Sequence, residues 1–156
     1  MEIGDLLASD GGIVLRGGAS SKRQALHAVA EVAASALGVD GQRVFDALME
    51  REALGATGLG SGVAVPHARL RGLTHVSGVF VRLDTPVAYG AVDDRPVDLL
   101  FALFAPPADG AGHLRALAAV SRAMRSPELR ERLRQAKSED AVRAMFVPQE
   151  ITTTAA

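Results

Sequence analysis

Arg51-Glu52-Ala53-Leu54-Gly55-Ala56-Thr57-Gly58-Leu59-Gly60-Ser61-Gly62-Val63-Ala64-Val65-Pro66-His67-Ala68-Arg69 sets an arginine, a glycine-rich turn, a short extended run and a proline-histidine pair in that order. Gly55, Gly58, Gly60 and Gly62 free the backbone for positive φ and let its N–H groups approach an anion closely. Val65 is held extended because it precedes proline, and Pro66 fixes its own φ, so His67 leaves the strand in a set direction. A neutral imidazole nitrogen can attack phosphorus, and titration near neutral pH keeps that form available. The Arg51 guanidinium matches the geometry of a phosphate. The same residues also fit an irregular loop closing onto an edge strand, and pattern alone favours that plainer reading.

Outward from this segment, helical and extended periodicities alternate. Ser21 and Gln24 form a capping-box pair, and Ala25, Leu26, Val29, Ala30, Val32, Ala33, Ala36 and Leu37 make a broad apolar helical face that ends at Gly38. Asp40 is placed to cap a second helix with Val44, Phe45, Leu48 and Met49 on one face, which delivers Arg51 near its end. Val76 to Leu83 reads as a strand, and Val97 to Ala105, almost continuously apolar, as a more deeply buried one. Gly12 to Arg16 fits a further short strand. After Pro106-Pro107 comes a helix carrying His113, with Leu114, Leu117, Ala118 and Met124 expected inward. Ser126-Pro127-Glu128 and Ser138-Glu139-Asp140 start two more helices. Strands interleaved with helices predict a single-domain layered α/β sandwich about one sheet.

Composition narrows the function classes. The chain has 156 residues, 48% hydrophobic and 22% charged, the balance of one globular domain. With a net charge of −1 and seventeen basic residues spread along the chain, no basic footprint for nucleic acid is present. There are no cysteines, so neither a disulfide framework nor a thiolate metal site is available. No charged-then-apolar signal segment stands at Met1, and Leu99 to Ala105 is too short to span a bilayer. A cytoplasmic location outside the membrane is expected. Neither a dinucleotide fingerprint, a phosphate-binding loop of nucleotide kinases, a zinc spacing nor a serine-hydrolase elbow occurs. No metal or cofactor is expected. His27 and His75 read as solvated or structural, and Asp93-Asp94 as a solvated turn.

The run from Arg51 to Arg69 resembles the active-site segment of enzyme IIA components of the phosphoenolpyruvate-dependent phosphotransferase system, in the fructose/mannitol/nitrogen-regulatory family. That segment reads Arg-Glu, a Thr-Gly-hydrophobic-Gly turn, then Gly-hydrophobic-Ala-hydrophobic-Pro-His. Pro86-Val87-Ala88, Pro96 to Leu103 and Gly112-His113-Leu114-Arg115-Ala116-Leu117 resemble the same family downstream, so the likeness runs from about Ile3 to about Met145. Departures are few: Ala68 where glycine is common, Ala56 where serine is frequent, Arg115 where some relatives have histidine.

The resemblance implies a mixed central β-sheet flanked by helices and a type-2 enzyme IIA phosphocarrier domain over residues 1–150, while the ending at 151–156, with Thr152-Thr153-Thr154-Ala155-Ala156, reads as a frayed tail. The resemblance also implies that His67 accepts a phosphoryl group from an HPr-like phosphocarrier, with Arg51 and His113 as catalytic partners and Thr57, Gly58 and Gly60 lining the phosphate site. His113 opens a helix whose N-terminal amides favour an anion. Three functional outcomes stay open. One is a regulatory, nitrogen-type enzyme IIA acting on partner proteins according to its phosphorylation, which the wording around Asp98 to Pro106 favours. The second is a sugar-specific IIA passing phosphate to a IIB domain, and the third a binding module that has kept only the fold.

Overall fold

The computed structural model describes residues 2–146. The tail expected at 151–156 lies outside the described residues. A short helix α1 (Ile3–Leu6) and strand β1 (Ile13–Gly17) lead into helices α2 (Lys22–Leu37) and α3 (Gly41–Ala53). Three short strands follow, β2 (Gly58–Gly60), β3 (Val63–Ala64) and β4 (His67–Arg69), then the long pair β5 (Ser77–Val87) and β6 (Val97–Ala105). Helices α4 (Gly110–Met124), α5 (Pro127–Gln135) and α6 (Glu139–Phe146) close the described chain.

The six strands form one mixed sheet in the order β1-β5-β6-β3-β2, with β4 also on β6. β5 and β6 are antiparallel, whereas β1 runs parallel to β5, and β3 and β4 run parallel to β6. One core, from Leu26, Val29, Val44, Leu48, Val79 and Phe104, lies under α2 and α3. A second, from Phe80, Phe101, Leu103, Val120, Leu133 and Phe146, lies under the C-terminal helices. Being covered on both faces is why β6 is written as a continuous apolar run rather than an alternating one: eight of its nine residues are buried. The layered α/β sandwich with a mixed central sheet is thus the architecture of the chain.

Local chemistry explains the boundaries. The Ser21 side chain accepts the Gln24 N–H at 3.1 Å, and Gly38 ends α2 in the left-handed region at φ 68°. The Gln24 side chain, however, reaches back to the N–H and hydroxyl of Ser20 rather than of Ser21. Asp40 occupies the N-cap position of α3, but its side chain makes no cap hydrogen bond. Strand β5 outruns the expected end at Leu83, with its register shift between Arg82 and Val87 accommodating Pro86, which has no N–H for the ladder.

Helix α4 corrects the expected inward face. His113, Ala116, Val120 and Met124 are buried, while Leu114 is 67% exposed and Ala118 is also exposed. The helix is rotated so that the histidine sits on the sheet side. Apolar residues on both flanks of the stripe hid that rotation from a periodicity reading.

Candidate functional site

β3 and β4 lie one after the other along β6; β2 covers the outer side of β3, and β4 pairs with β6 alone among the described residues. Ala64 pairs with Leu100 and His67 with Leu103, and at the break between them the Pro66 carbonyl accepts the Leu103 N–H at 2.9 Å. The proline interrupts the ladder where it has no donor to give. His67 is thereby presented from the edge of a rigid sheet.

Both imidazole nitrogens of His67 are engaged. Nδ1 lies 2.9 Å from the Val65 carbonyl oxygen, and Arg51 Nε donates to Nε2 at 3.2 Å. A carbonyl can only accept, so Nδ1 carries the proton and Nε2 carries the lone pair. Arg51 reaches this position from the last turn of α3, and its Nη1 donates to the Gly55 carbonyl at 2.9 Å. The His113 ring faces His67 with centroids 5.4 Å apart and planes at 56°. Its Nδ1 is buried and makes no hydrogen bond among the described residues.

The electrostatics favour neutral rings. Burial is the main effect pushing His67 below the ordinary imidazole range; the Arg51 charge adds to it, against the Val65 hydrogen bond and the Glu52 charge. Burial also lowers His113, helped by His67 and Arg69 and opposed by Asp109. A neutral Nε2 lone pair is therefore retained at and somewhat below neutral pH.

An open cleft of about 490 Å³ lies over these residues, lined by Arg51, Leu54, His67, Arg69, His113 and Leu114 among others. Leu54 at 83% and Leu114 at 67% exposure stand at its rim. Arg69 Nη1 donates to the carbonyls of Pro106, Pro107 and Asp109, bracing the loop that leads into α4. The amide reading of this helix end needs correcting: Asp109 accepts the Gly112 N–H at 2.7 Å, so a resident carboxylate already occupies part of that N-terminus.

The residues expected to line a phosphate site separate. Thr57 and Gly58 line a smaller adjoining cavity with Arg51 and His67, and Gly60 does not. The Thr57 hydroxyl is turned inward, donating to the Glu52 carboxylate and contacting the Tyr89 hydroxyl. The glycines answer to packing within the chain. A Cβ at Gly58 would lie 2.8 Å from Cβ and 2.9 Å from Cα of Ala91, and one at Gly60 3.2 Å from the Asp93 carboxylate. Asp93 itself is more than a solvated turn residue, since it accepts the Ser61 N–H at 2.8 Å and steadies the φ 57° of Ser61. We expect Gly58→Ala to lose about 1–3 kcal/mol of stability, read from the urea midpoint, because Ala91 offers backbone and not a flexible tip.

Sequence reasoning missed Tyr89, the chain's one tyrosine, which is buried beside Glu52. It also missed the pair Arg134 and Asp98, which grips the turn through the Ser61 carbonyl. A lone tyrosine has no periodic signal of its own, and only the Arg51-Glu52 dipeptide entering the glycine turn marks this cluster in the sequence. Among the described residues no three His, Cys, Asp or Glu side chains gather as a metal site, and no helix is long and apolar enough to cross a membrane.

Fold and segment together define a class, the IIA components of the phosphotransferase system. Residues 7–147 match the family described as phosphoenolpyruvate-dependent sugar phosphotransferase system, EIIA 2, and the chain belongs to it. Within that family it is similar to a nitrogen regulatory protein of Bradyrhizobium diazoefficiens, 42% identical over 123 residues covering 79% of this chain and 80% of that one. It is also similar to a fructose-specific EIIA component of Haloferax volcanii, 35% identical over 79% of this chain and 80% of that one. Among solved structures, the nitrogen regulatory protein IIA-Ntr of Neisseria meningitidis superposes with a TM-score of 0.85 at 34% identity, covering 93% and 99% of the two chains.

Proposed function

We propose that residues up to about 150 act as a phosphocarrier domain in which His67 Nε2 takes a phosphoryl group from the phosphohistidine of an HPr-like carrier. The observation that carries this is the pinned tautomer: Val65 holds the Nδ1 proton and leaves the Nε2 lone pair beside a guanidinium. In the reaction the Nε2 lone pair forms a bond to phosphorus as the donor's P–N bond breaks in line, and the electron pair returns to the donor imidazole. Attack puts positive charge on the His67 ring, which the Val65 carbonyl stabilises through Nδ1–H. Arg51 must leave the lone pair and turn its N–H groups to the phosphoryl oxygens, with His113 facing the same space. One P–N bond is exchanged for another, so positioning and charge stabilisation supply the catalysis.

Of the downstream roles, phosphorylation-dependent regulation of partner proteins is favoured by the similarity to nitrogen regulatory proteins. Delivery to a IIB domain is the second reading, favoured by the similarity to a fructose-specific component. A cytoplasmic site of action fits either. The test is to charge the protein with phosphoenolpyruvate, enzyme I and carrier, and then offer a IIB domain. Retention of the label, with partner capture that differs between phosphorylated and unphosphorylated protein, supports regulation; rapid discharge to IIB supports transport.

An apolar rim around a phosphoryl site suits a protein donor, whose contact residues must exclude water around the reacting rings. We expect Leu114→Asp to lower acceptance from the carrier by about tenfold, through KM. Phosphorylation by the small donor phosphoramidate should be unchanged, and an equal loss with both donors would place Leu114 in the chemistry instead.

A further inference from the structure

Beneath the cleft lies a buried carboxylate that the transfer chemistry does not use. Glu52 follows Arg51 on α3, and its side chain is 3% exposed. It collects four donors. Oε2 accepts the Thr57 N–H at 3.1 Å and Lys22 Nζ at 2.9 Å; Oε1 accepts the Tyr89 hydroxyl at 2.8 Å and the Thr57 hydroxyl. Burial pushes its pKa up, but the hydrogen bonds from Thr57, Lys22 and Tyr89 with the Lys22 charge outweigh this, so the carboxyl stays ionised. Tyr89 is pushed up by burial and by the Glu52 charge, and remains a donor.

Two backbone paths run from this clasp to the two nitrogens of His67. Along the first, Thr57, held by Glu52 at its N–H and hydroxyl, accepts the Val65 N–H on its carbonyl at 3.0 Å. The Val65 carbonyl in turn accepts Nδ1–H of His67. Along the second, the short turn Leu54–Thr57 is anchored at its far end by the same carboxylate and presents the Gly55 carbonyl to Arg51 Nη1. Arg51 Nε then meets Nε2. Gly55 at φ 151° lets the chain turn tightly enough to close this loop.

We propose that Glu52 is a positioning residue for phosphoryl acceptance, fixing the Nδ1–H tautomer and the aim of His67 through Thr57 and Val65, and the seat of Arg51 through the turn. The proposal rests on His67 being the acceptor, and it makes the tautomer, not only the fold, depend on a carboxylate that touches neither reacting atom. Free imidazole carries its proton on either nitrogen, so loosening the Val65 carbonyl releases the choice.

The test uses full-length protein labelled with ¹⁵N-histidine. Long-range ¹H–¹⁵N correlations of the imidazoles are recorded for the wild type, Glu52→Ala and Thr57→Val, and phosphoryl acceptance is measured alongside. The wild type should show His67 in the Nδ1–H form alone. In both variants an Nε2–H population should appear, with acceptance down by about tenfold or more for Glu52→Ala and less for Thr57→Val. Should Glu52→Ala not fold, Thr57→Val decides alone, since it keeps the Thr57 N–H contact and loses only the hydroxyl. A folded variant whose His67 tautomer is that of the wild type overturns the proposal. The tautomer is read without any donor, so a wild type that takes no phosphoryl group would sink the acceptor reading while leaving the tautomer result standing.

Discussion

His67→Ala gives a folded protein that accepts no phosphoryl group from a charged carrier. His67 is partly exposed at the first position of a three-residue edge strand, so removing its ring opens no core cavity. Of its two hydrogen-bond partners, Arg51 lines the open cleft and is left to water, while the Val65 carbonyl gives up one donor, a cost of about 1–3 kcal/mol. What disappears is the Nε2 lone pair that the Arg51 guanidinium holds at the cleft. His113 does not substitute for it: the residue is 6% exposed and its Nδ1 is buried. Circular dichroism should match the wild type while labelling falls to background. Labelling of the folded variant at the wild-type rate would move the acceptor elsewhere.

Arg51→Ala should carry the next largest effect, a loss of about a hundredfold or more in the rate of acceptance with the carrier-binding surface intact. Two of its roles are separable by pH. The guanidinium is one of the influences holding His67 below the ordinary imidazole range, second to burial among those acting downward. Removing it raises that pKa, so protonation begins to block Nε2 at higher pH. Acceptance by the wild type should therefore persist below the ordinary imidazole value of about 6.5, while the acid limb of the variant moves upward. Arg51→Lys should restore the position of the acid limb better than the rate, since an ammonium supplies charge without the fork that spans two phosphoryl oxygens. A profile unmoved in Arg51→Ala would show that the guanidinium does not govern the titration of His67.

The same depression bears on stability. An unfolded chain takes up protons at its histidines below about pH 6.5, whereas folded His67 and His113 resist protonation. The contribution of the two rings is thus neutral above that pH and turns against the folded state as pH falls.

Much of the fold was written in local chemistry. Strand β6 spans the residues its continuous apolar run predicted, and α2 begins at the Ser21 cap and ends at Gly38 as its signals require. Those features depend on neighbours within a few residues. Features that depend on distant partners were not readable in the same way. Whether Thr57 faces a ligand or the interior is decided by Tyr89, thirty-two residues away, and by Glu52, whose carboxylate is stabilised by Lys22. Whether the glycines cradle an anion or avoid a collision is decided by Ala91 and Asp93. Likewise Leu114 looked like a core position because apolar spacing cannot distinguish the sheet side of α4 from a cleft rim. The expected site residues Arg51, His67 and His113 do converge in space, and the resemblance to the family supplied their expected roles where pattern alone favoured an ordinary loop. The clasp under them, which joins helix, turn and edge strand, had no sequence signal beyond the Arg51-Glu52 pair.

The most direct test of the account is intact mass of the wild type after incubation with phosphoenolpyruvate, enzyme I and an HPr-type carrier, quenched in alkali and followed by peptide mapping. The expected result is the gain of one phosphoryl group, stable to base and lost in acid as a P–N bond is, on the peptide containing His67. No gain while the carrier is demonstrably charged, or a label that survives acid on a serine or threonine peptide, would contradict it.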